Sequence, residues 1–233
     1  MPTPRTALTA RARTNEVERR LEVRFPGSAA SLCALRHRNA FELVVATVLS
    51  AQCTDARVNE VTPGLFGRFP TPATLAAAPR DELEQLLYPT GFFRAKAGHL
   101  LGLSAALCER FGGEVPRALD DLTTLRGVGR KTANVVRSVA FGLPGLPVDT
   151  HVMRLSRRLG LTRATEPVGI ERALCRTLPP EHWGGFSVRM ILHGRETCTA
   201  RRPACDVCVL EDLCPRRGVA TASRVVGKPG PSR

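Results

Sequence analysis

At 233 residues the chain can bury a substantial core and hold one or two domains. Of its formal net charge of +13, eight units sit in two acid-free ends: Arg5, Arg11 and Arg13 within residues 1–13, and Arg216, Arg217, Arg224, Lys228 and Arg233 within residues 216–233. The body is thus only mildly basic, the tails 1–13 and 219–233 are expected to be disordered electrostatic arms, and the lack of a membrane-length apolar run or a signal peptide's apolar stretch excludes a membrane partner and argues for a cytoplasmic, non-secreted protein.

Val17, Leu21 and Phe25, at i, i+4 and i+8, mark an amphipathic helix that Pro26-Gly27 stops. Phe41 to Leu49 is apolar on nearly every face, which predicts a central, buried helix. It runs into Ser50-Ala51-Gln52-Cys53-Thr54-Asp55, where Thr54 or Asp55 can cap a further helix through Val58 and Val61. Pro79 and Asp81 open a short helix over Leu83, Leu86 and Leu87, closed by the Pro89-Thr90-Gly91 turn. A long helix is expected from Phe92 to Phe111, ended by Gly112-Gly113. Beyond a rigid Leu143–Pro147 connector, Asp149 stands at the N-cap of a helix ending at Leu159-Gly160; Pro167 starts another, and Trp183 to Gly194 forms the last. With no alternating strand pattern and no internal repeat, the fold class is all-α.

Between the long helix and the connector lies Leu122-Thr123-Thr124-Leu125-Arg126-Gly127-Val128-Gly129-Arg130-Lys131-Thr132-Ala133-Asn134. It reads as a helix-hairpin-helix over residues 119–141. Gly127 and Gly129 permit positive φ and remove side chains that would keep a phosphate from the backbone. The helix that follows offers free N–H donors and the positive end of its dipole, with Arg126, Arg130, Lys131 and Thr132 alongside. An ordinary αα-hairpin with solvated cations fits the same residues. A Walker A loop does not, because the glycine spacing and the Gly-Lys pair are missing.

Cys33, Cys53, Cys108 and Cys175 are scattered, one per apparent helix, whereas Cys198-x6-Cys205-x2-Cys208-x5-Cys214 crowds four thiols into one short loop. That split points to a reduced interior and a single metal site, where four thiolates suit either tetrahedral zinc or a cubane iron–sulfur cluster. Spacing alone leaves both open. Arg195, Arg201, Arg202, Arg216 and Arg217 around the loop would make a stiff phosphate-contacting surface.

The hairpin, the Val148-Asp149-Thr150-His151 segment 18 residues beyond Lys131, and the cysteine loop together resemble the endonuclease III family, the bifunctional DNA glycosylase/AP lyase branch of the helix-hairpin-helix superfamily. The likeness runs from about Val17 to Cys214. It implies a [4Fe–4S] cluster on the four cysteines and two helical lobes with DNA across the cleft. One lobe would be a six-helix barrel over residues 33–143, the other residues 14–32 plus 144–218. It implies a monomer acting on double-stranded DNA that carries a damaged base or abasic site, removing oxidised pyrimidines.

By the same resemblance Lys131 is the nucleophile that forms a Schiff base at the sugar C1′, and Asp149 the carboxylate that stabilises the sugar cation. The lysine must be neutral to attack, which a helix N-terminus, burial and Arg130 nearby would favour. Because the base must leave the stack, Gln52 matches the residue that fills the gap and Phe92 falls where an apolar wedge inserts. Asp55 and His151 match pocket-side positions, and His193 reads as structural. The chain departs from the commoner family text at Cys53 and at Phe92-Phe93, which bears on lesion range. An adenine glycosylase relative shares the cluster loop but generally lacks the hairpin lysine and carries a glutamate in the helix before its Gln-Gln pair; here Lys131 is present and Phe41–Ser50 has a glutamate only at Glu42, the wrong end. A non-enzymatic iron–sulfur DNA-binding module and a zinc-stabilised structural protein are the remaining alternatives.

Overall fold

Eleven α-helices and no strand make up residues 8–219, the part of the chain described by this computed structural model. The ends beyond, with Arg5, Arg224, Lys228 and Arg233, lie outside the described residues.

The first helix, α1 (Ala10–Arg24), starts earlier than expected because Thr9 accepts from the Ala12 N–H at 3.2 Å. The last four residues of the expected N-terminal arm are therefore helical. Arg13 among them is buried, with its guanidinium 3.4 Å from the Leu159 and Gly160 carbonyls. In α2 (Ala40–Leu49), capped by Asn39, every residue from Phe41 to Leu49 is buried, as its all-round apolar face requires. Thr54 caps α3 (Asp55–Arg68), which continues through Pro63 well past Val61 because Leu65 and Phe66 are drawn into the core.

A five-residue helix, α4 (Pro72–Ala76), was not anticipated; reciprocal Thr71 and Thr74 capping holds it and seats Leu75. Next come α5 (Arg80–Leu87), a 3-10 turn over Tyr88–Thr90, and α6 (Phe93–Phe111). Phe92 does not begin α6 but precedes it in the left-handed region, at φ 48°. The glycines at 112 and 113 end α6 with φ of 61° and 84°. The hairpin helices are α7 (Leu119–Thr123) and α8 (Arg130–Ala140), followed by α9 (Thr150–Arg158), α10 (Pro167–Cys175) and α11 (Trp183–Glu196). Two 3-10 turns, Cys205–Val207 and Glu211–Leu213, shape the cysteine loop.

These helices close over two separate cores. One gathers α2 to α8, with Leu43, Leu49, Leu65, Leu83, Leu100 and Leu122 fully buried. The other joins α1 to α9, α10, α11 and the cysteine loop around Leu21, Leu155, Phe186 and Met190. Each fully buried leucine contributes about 2 kcal/mol. A buried ion network fastens α1 to α11: Arg189 donates to Glu18 and Glu22 at 2.9 Å and to the Phe25 and Gly27 carbonyls.

The connector between the cores lies flat on α8. A Cβ at Gly145 would stand 2.6 Å from the Asn134 carbonyl oxygen, so only glycine allows that approach. Arg137 donates to the Pro144 carbonyl at 3.1 Å, and the Ser187 hydroxyl of α11 donates to the Pro147 carbonyl. The path of the chain from the hairpin helix to the start of α9 is thereby set. Among the described residues no helix is long and apolar enough to cross a membrane.

Candidate active site

Gly127 takes φ 81°, and a Cβ there would meet the His99 Cβ of α6 at 3.0 Å, so the turn both needs positive φ and packs tightly on α6. Gly129 differs from the expectation of positive φ: it sits at −88° as the N-cap of α8, with open space where a Cβ would be. Its lack of a side chain leaves the backbone open to an approaching anion.

Lys131, the second residue of α8, is exposed rather than buried. Arg130 does not face it but forms a two-pronged pair with Glu171 of α10, at 2.9 and 2.7 Å. The pair ties the hairpin helix to the second core. Arg126 and Thr132 lie beside the turn, Arg126 exposed and Thr132 partly buried, with the Arg126 side chain packed over Gly102.

Lys131 lines a cavity of about 100 Å³ where the two cores face each other. Its walls include Cys33, Ser50 and Asp55 from one side and Pro147, Ser187 and Arg195 from the other. Two residues beyond Pro147, partly buried Asp149 accepts from the Val152 N–H at 2.9 Å through Oδ1 and caps α9, so it is a helix cap whatever else it does. One turn on, Arg154 Nη2 is 3.0 Å from His151 Nδ1. A guanidinium can only donate, so in this contact the imidazole nitrogen is the acceptor. Burial holds His151 below the usual imidazole range; Asp149 opposes that shift, and Arg154 and Arg195 add to it. Asp55, the first residue of α3, pairs with Arg195 of α11 at 2.9 Å across the cleft.

Gln52 and Phe92 are both exposed and both in the left-handed region, at φ 53° and 48°; among the described residues only Arg216 shares that property outside glycine. Phe92 is 66% exposed, a large apolar ring held in water by a strained backbone. Buried Lys96 braces the loop before Phe92: its ammonium donates to the Thr90 carbonyl at 2.8 Å. Burial lowers the pKa of that lysine, a residue that sequence patterning alone gave no reason to single out.

All eight cysteines are free, and four of them, Cys198, Cys205, Cys208 and Cys214, line one pocket. Cys33 and Cys53 lie in turns rather than in helices. Arg158 of α9 reaches into the loop, donating to the Thr199 and Ala200 carbonyls at 2.7 Å and to Cys198 Sγ at 3.3 Å. The Arg216 N–H lies 3.3 Å from Cys214 Sγ, and His193 Nε2 3.4 Å from Cys208 Sγ. Burial pushes the Cys208 thiol up to about 11. Among the described residues no three His, Cys, Asp or Glu side chains converge closely enough to share one ion. The sulfurs ring a pocket instead, with the Arg158 guanidinium and the Arg216 N–H aimed at two of them and the His193 ring beside a third, a donor set that fits a multi-iron cluster. Of the cations around the loop, Arg195 and Arg216 are committed to Asp55 and Glu211, while Arg201 and Arg202 stay exposed.

Residues 45–180 match the HhH-GPD superfamily of base excision DNA repair proteins. The endonuclease III of Synechocystis sp. is 50% identical over 204 residues, covering 87% of this chain and 92% of its own length. The chain belongs to the endonuclease III family. The endonuclease III of Bacillus subtilis is likewise 50% identical, over 183 residues, covering 78% and 84% of the two chains. A solved endonuclease III trapped as a covalent intermediate with DNA, in an estranged-adenine complex, superposes with a TM-score of 0.83 at 46% identity, covering 90% of this chain and 97% of that one.

Residues 198–214 match the iron–sulfur binding domain of endonuclease III, which resolves the choice between zinc and iron that spacing left open. The protein is a base-excision-repair DNA glycosylase with AP lyase activity, and it carries a [4Fe–4S] cluster. Bound in this loop, the cluster would supply a fixed, charged scaffold, and Arg158, His193 and Arg216, which lie against Cys198, Cys208 and Cys214, would help hold their sulfurs in place.

Proposed function

We propose that this protein removes oxidised pyrimidines from duplex DNA and cleaves the resulting abasic site, with Lys131 and Asp149 carrying the chemistry. The observation that supports this most is the position of Lys131: a free amine at the start of the hairpin helix, on the wall of the inter-lobe cavity. In the proposed reaction the Lys131 nitrogen attacks C1′ as the N-glycosidic bond breaks and the base departs with a proton. Positive charge on the sugar is greatest between those events, and the Asp149 carboxylate offsets it. The iminium that results acidifies C2′; loss of that proton expels the 3′ phosphate and completes the β-elimination.

The hairpin turn would hold a phosphate near the lesion through the backbone at Gly127 and Gly129, with Arg126 and Thr132 beside it. Arg130 would serve this contact indirectly, by anchoring α8 through Glu171. Gln52 and Phe92 project from adjacent loops and would fill the space left by the extruded nucleotide, while Asp55 and His151 face the base. The two cores support a division into a barrel lobe over residues 33–143 and a cluster lobe made of 14–32 plus 144–218. The enzyme would act as a cytoplasmic monomer.

The adenine glycosylase reading is disfavoured by placement. Glu42, at the start of α2, is buried against Arg38, a full helix length from the cleft end that carries Ser50. The test is Asp149→Asn. Base excision on oxidised-pyrimidine duplexes should fall by about 10²-fold or more while binding to an abasic-analogue duplex holds, as expected for a charge that acts only in the transition state. Equal loss of both would make Asp149 a helix cap alone.

A further inference from the structure

The basic ends of the chain, far apart in sequence, meet on one side of the second core. Leu8, where the described residues begin, and Arg217, near where they end, line the same cavity of about 310 Å³. Arg13 from α1 and Thr162 and Arg163 from the turn after α9 also line it, and no aspartate or glutamate does. The sequence beyond adds cations without adding acids: Arg5 is three residues before Leu8, within about 10 Å of chain, and Arg224, Lys228 and Arg233 follow Arg217. This cavity shares no residue with the one that holds Lys131. It lies past the opposite end of α9 from Asp149, about 15 Å along the helix axis.

Gly160 is the point on which the arginines converge. It takes φ 63°, and a Cβ there would stand 3.1 Å from Arg13 Nη1 and 3.2 Å from Arg217 Cζ, so two guanidiniums rest against one Cα. Arg13 is 5% exposed, and its Nη1 lies 3.4 Å from both the Leu159 and the Gly160 carbonyls, where a cation offsets the negative end of α9. One guanidinium suffices for that cap. Arg163 and Arg217 are left over: both are exposed, and among the described residues neither side chain reaches a carboxylate or a carbonyl. The acids of the neighbouring cysteine loop are already engaged, Glu211 by Arg216 and Asp212 by Arg20. Like charges held this close repel unless an anion stands between them.

We infer that this cavity is a phosphate-binding site distinct from the lesion cleft, in which Arg163 and Arg217 hold the phosphate oxygens and Arg13 supplies a fixed charge beneath them. The chemistry selects a tetrahedral oxyanion. A guanidinium fork matches two oxygens at once, and three guanidiniums carry more charge than one carboxylate offsets. The volume sits at the small end of ligand sites, which suits a phosphate group rather than a larger molecule. That group can belong to the DNA backbone outside the cleft or to a free phosphate ion. From either source it would tie together α1, the turn after α9 and the segment that follows Cys214, so a filled site stabilises the cluster lobe.

The experiment uses the full chain with its cluster, in a zwitterionic buffer where inorganic phosphate replaces chloride at constant ionic strength. Binding is read by phosphorus NMR line broadening and by the melting midpoint, with and without a saturating abasic-analogue duplex that occupies the hairpin. Wild type is compared with Arg163→Gln/Arg217→Gln and Arg163→Lys/Arg217→Lys, each with its iron–sulfur absorbance verified. Both positions are exposed, so neither pair of changes opens the core. Without DNA, wild type should show a saturable phosphate component with a dissociation constant of about 1 mM or below, the scale of a few charge-assisted hydrogen bonds at an open site. The glutamine pair should lack that component, and the lysine pair should keep part of it, because an ammonium still attracts phosphate but cannot fork two oxygens. Persistence of the component with duplex bound assigns the site to the free ion. Its disappearance, with a salt dependence of duplex affinity shallower by about one contact in the glutamine pair, assigns it to the DNA backbone. Phosphate response and salt dependence that are both the same in wild type and the glutamine pair would overturn the inference and leave these arginines as a cap on α9.

Discussion

Replacing Arg158 by Met tests whether α9 clasps the cluster loop. The side chain is 6% exposed and spends its two terminal nitrogens on the Thr199 and Ala200 carbonyls at 2.7 Å, with Cys198 Sγ at 3.3 Å. A hydrogen bond from a charged donor is worth about 1.5–3 kcal/mol. Ala200 is exposed and its carbonyl can turn to water, so the lower end applies to each bond and the pair sums to about 3 kcal/mol. Methionine keeps most of the buried stem, so packing changes little and the loss is confined to the Cys198–Cys205 arm. A 3 kcal/mol shift in the opening of that arm is roughly a 150-fold change in the open fraction. When opening precedes iron removal, the bleaching rate under a ferrous chelator follows that fraction. Arg158→Met should therefore bleach about 100-fold faster than wild type, and Arg158→Lys, with one ammonium for two carbonyls, about tenfold faster. Bleaching by Arg158→Met within about twofold of wild type would mean that the loop holds itself and the clasp is incidental.

The two hairpin glycines should separate by kind of defect. Gly127→Ala forces a side chain to φ 81° and to within 3.0 Å of His99, so urea denaturation should show a loss of about 2 kcal/mol. Gly129→Ala, at φ −88° with open space around it, should change stability by less than about 1 kcal/mol yet weaken binding to abasic-analogue DNA. Phe92→Gly removes a ring that is 66% exposed and relieves a left-handed strain of about 1 kcal/mol. Thermal stability should hold or rise while affinity for an abasic-analogue duplex falls; a large drop in melting temperature would make Phe92 a packing residue.

How much of this was readable beforehand depended on whether the signal was local. The apolar surround of Phe41–Leu49, the glycine stops at 112 and 113 and the Asp149 cap are local, and each of those elements formed where its residues indicate. The short helix at Pro72–Ala76 rests on a threonine capping box and one buried leucine, too little periodicity to notice. The arm that ended at Arg13 turned out helical over its last four residues because Arg13 finds the carbonyls closing α9, 146 positions away. Long-range pairing also redirected the cations. Arg130 was drawn to Glu171 and Arg195 to Asp55, and no spacing rule reveals partners 41 or 140 residues distant. The cysteine spacing was legible but chemically ambiguous, since zinc and iron share the same ligands and only the match to a known cluster domain decided between them.

Reduction with borohydride in the presence of a duplex carrying one abasic site bears most directly on the reaction at Lys131. A Schiff base formed there is converted to a stable amine, so wild-type protein should appear as a DNA-linked species whose modified peptide contains Lys131, and Lys131→Ala should give none while keeping its iron–sulfur absorbance. Trapping of the alanine variant at the wild-type yield, or linkage through another residue, would contradict the account.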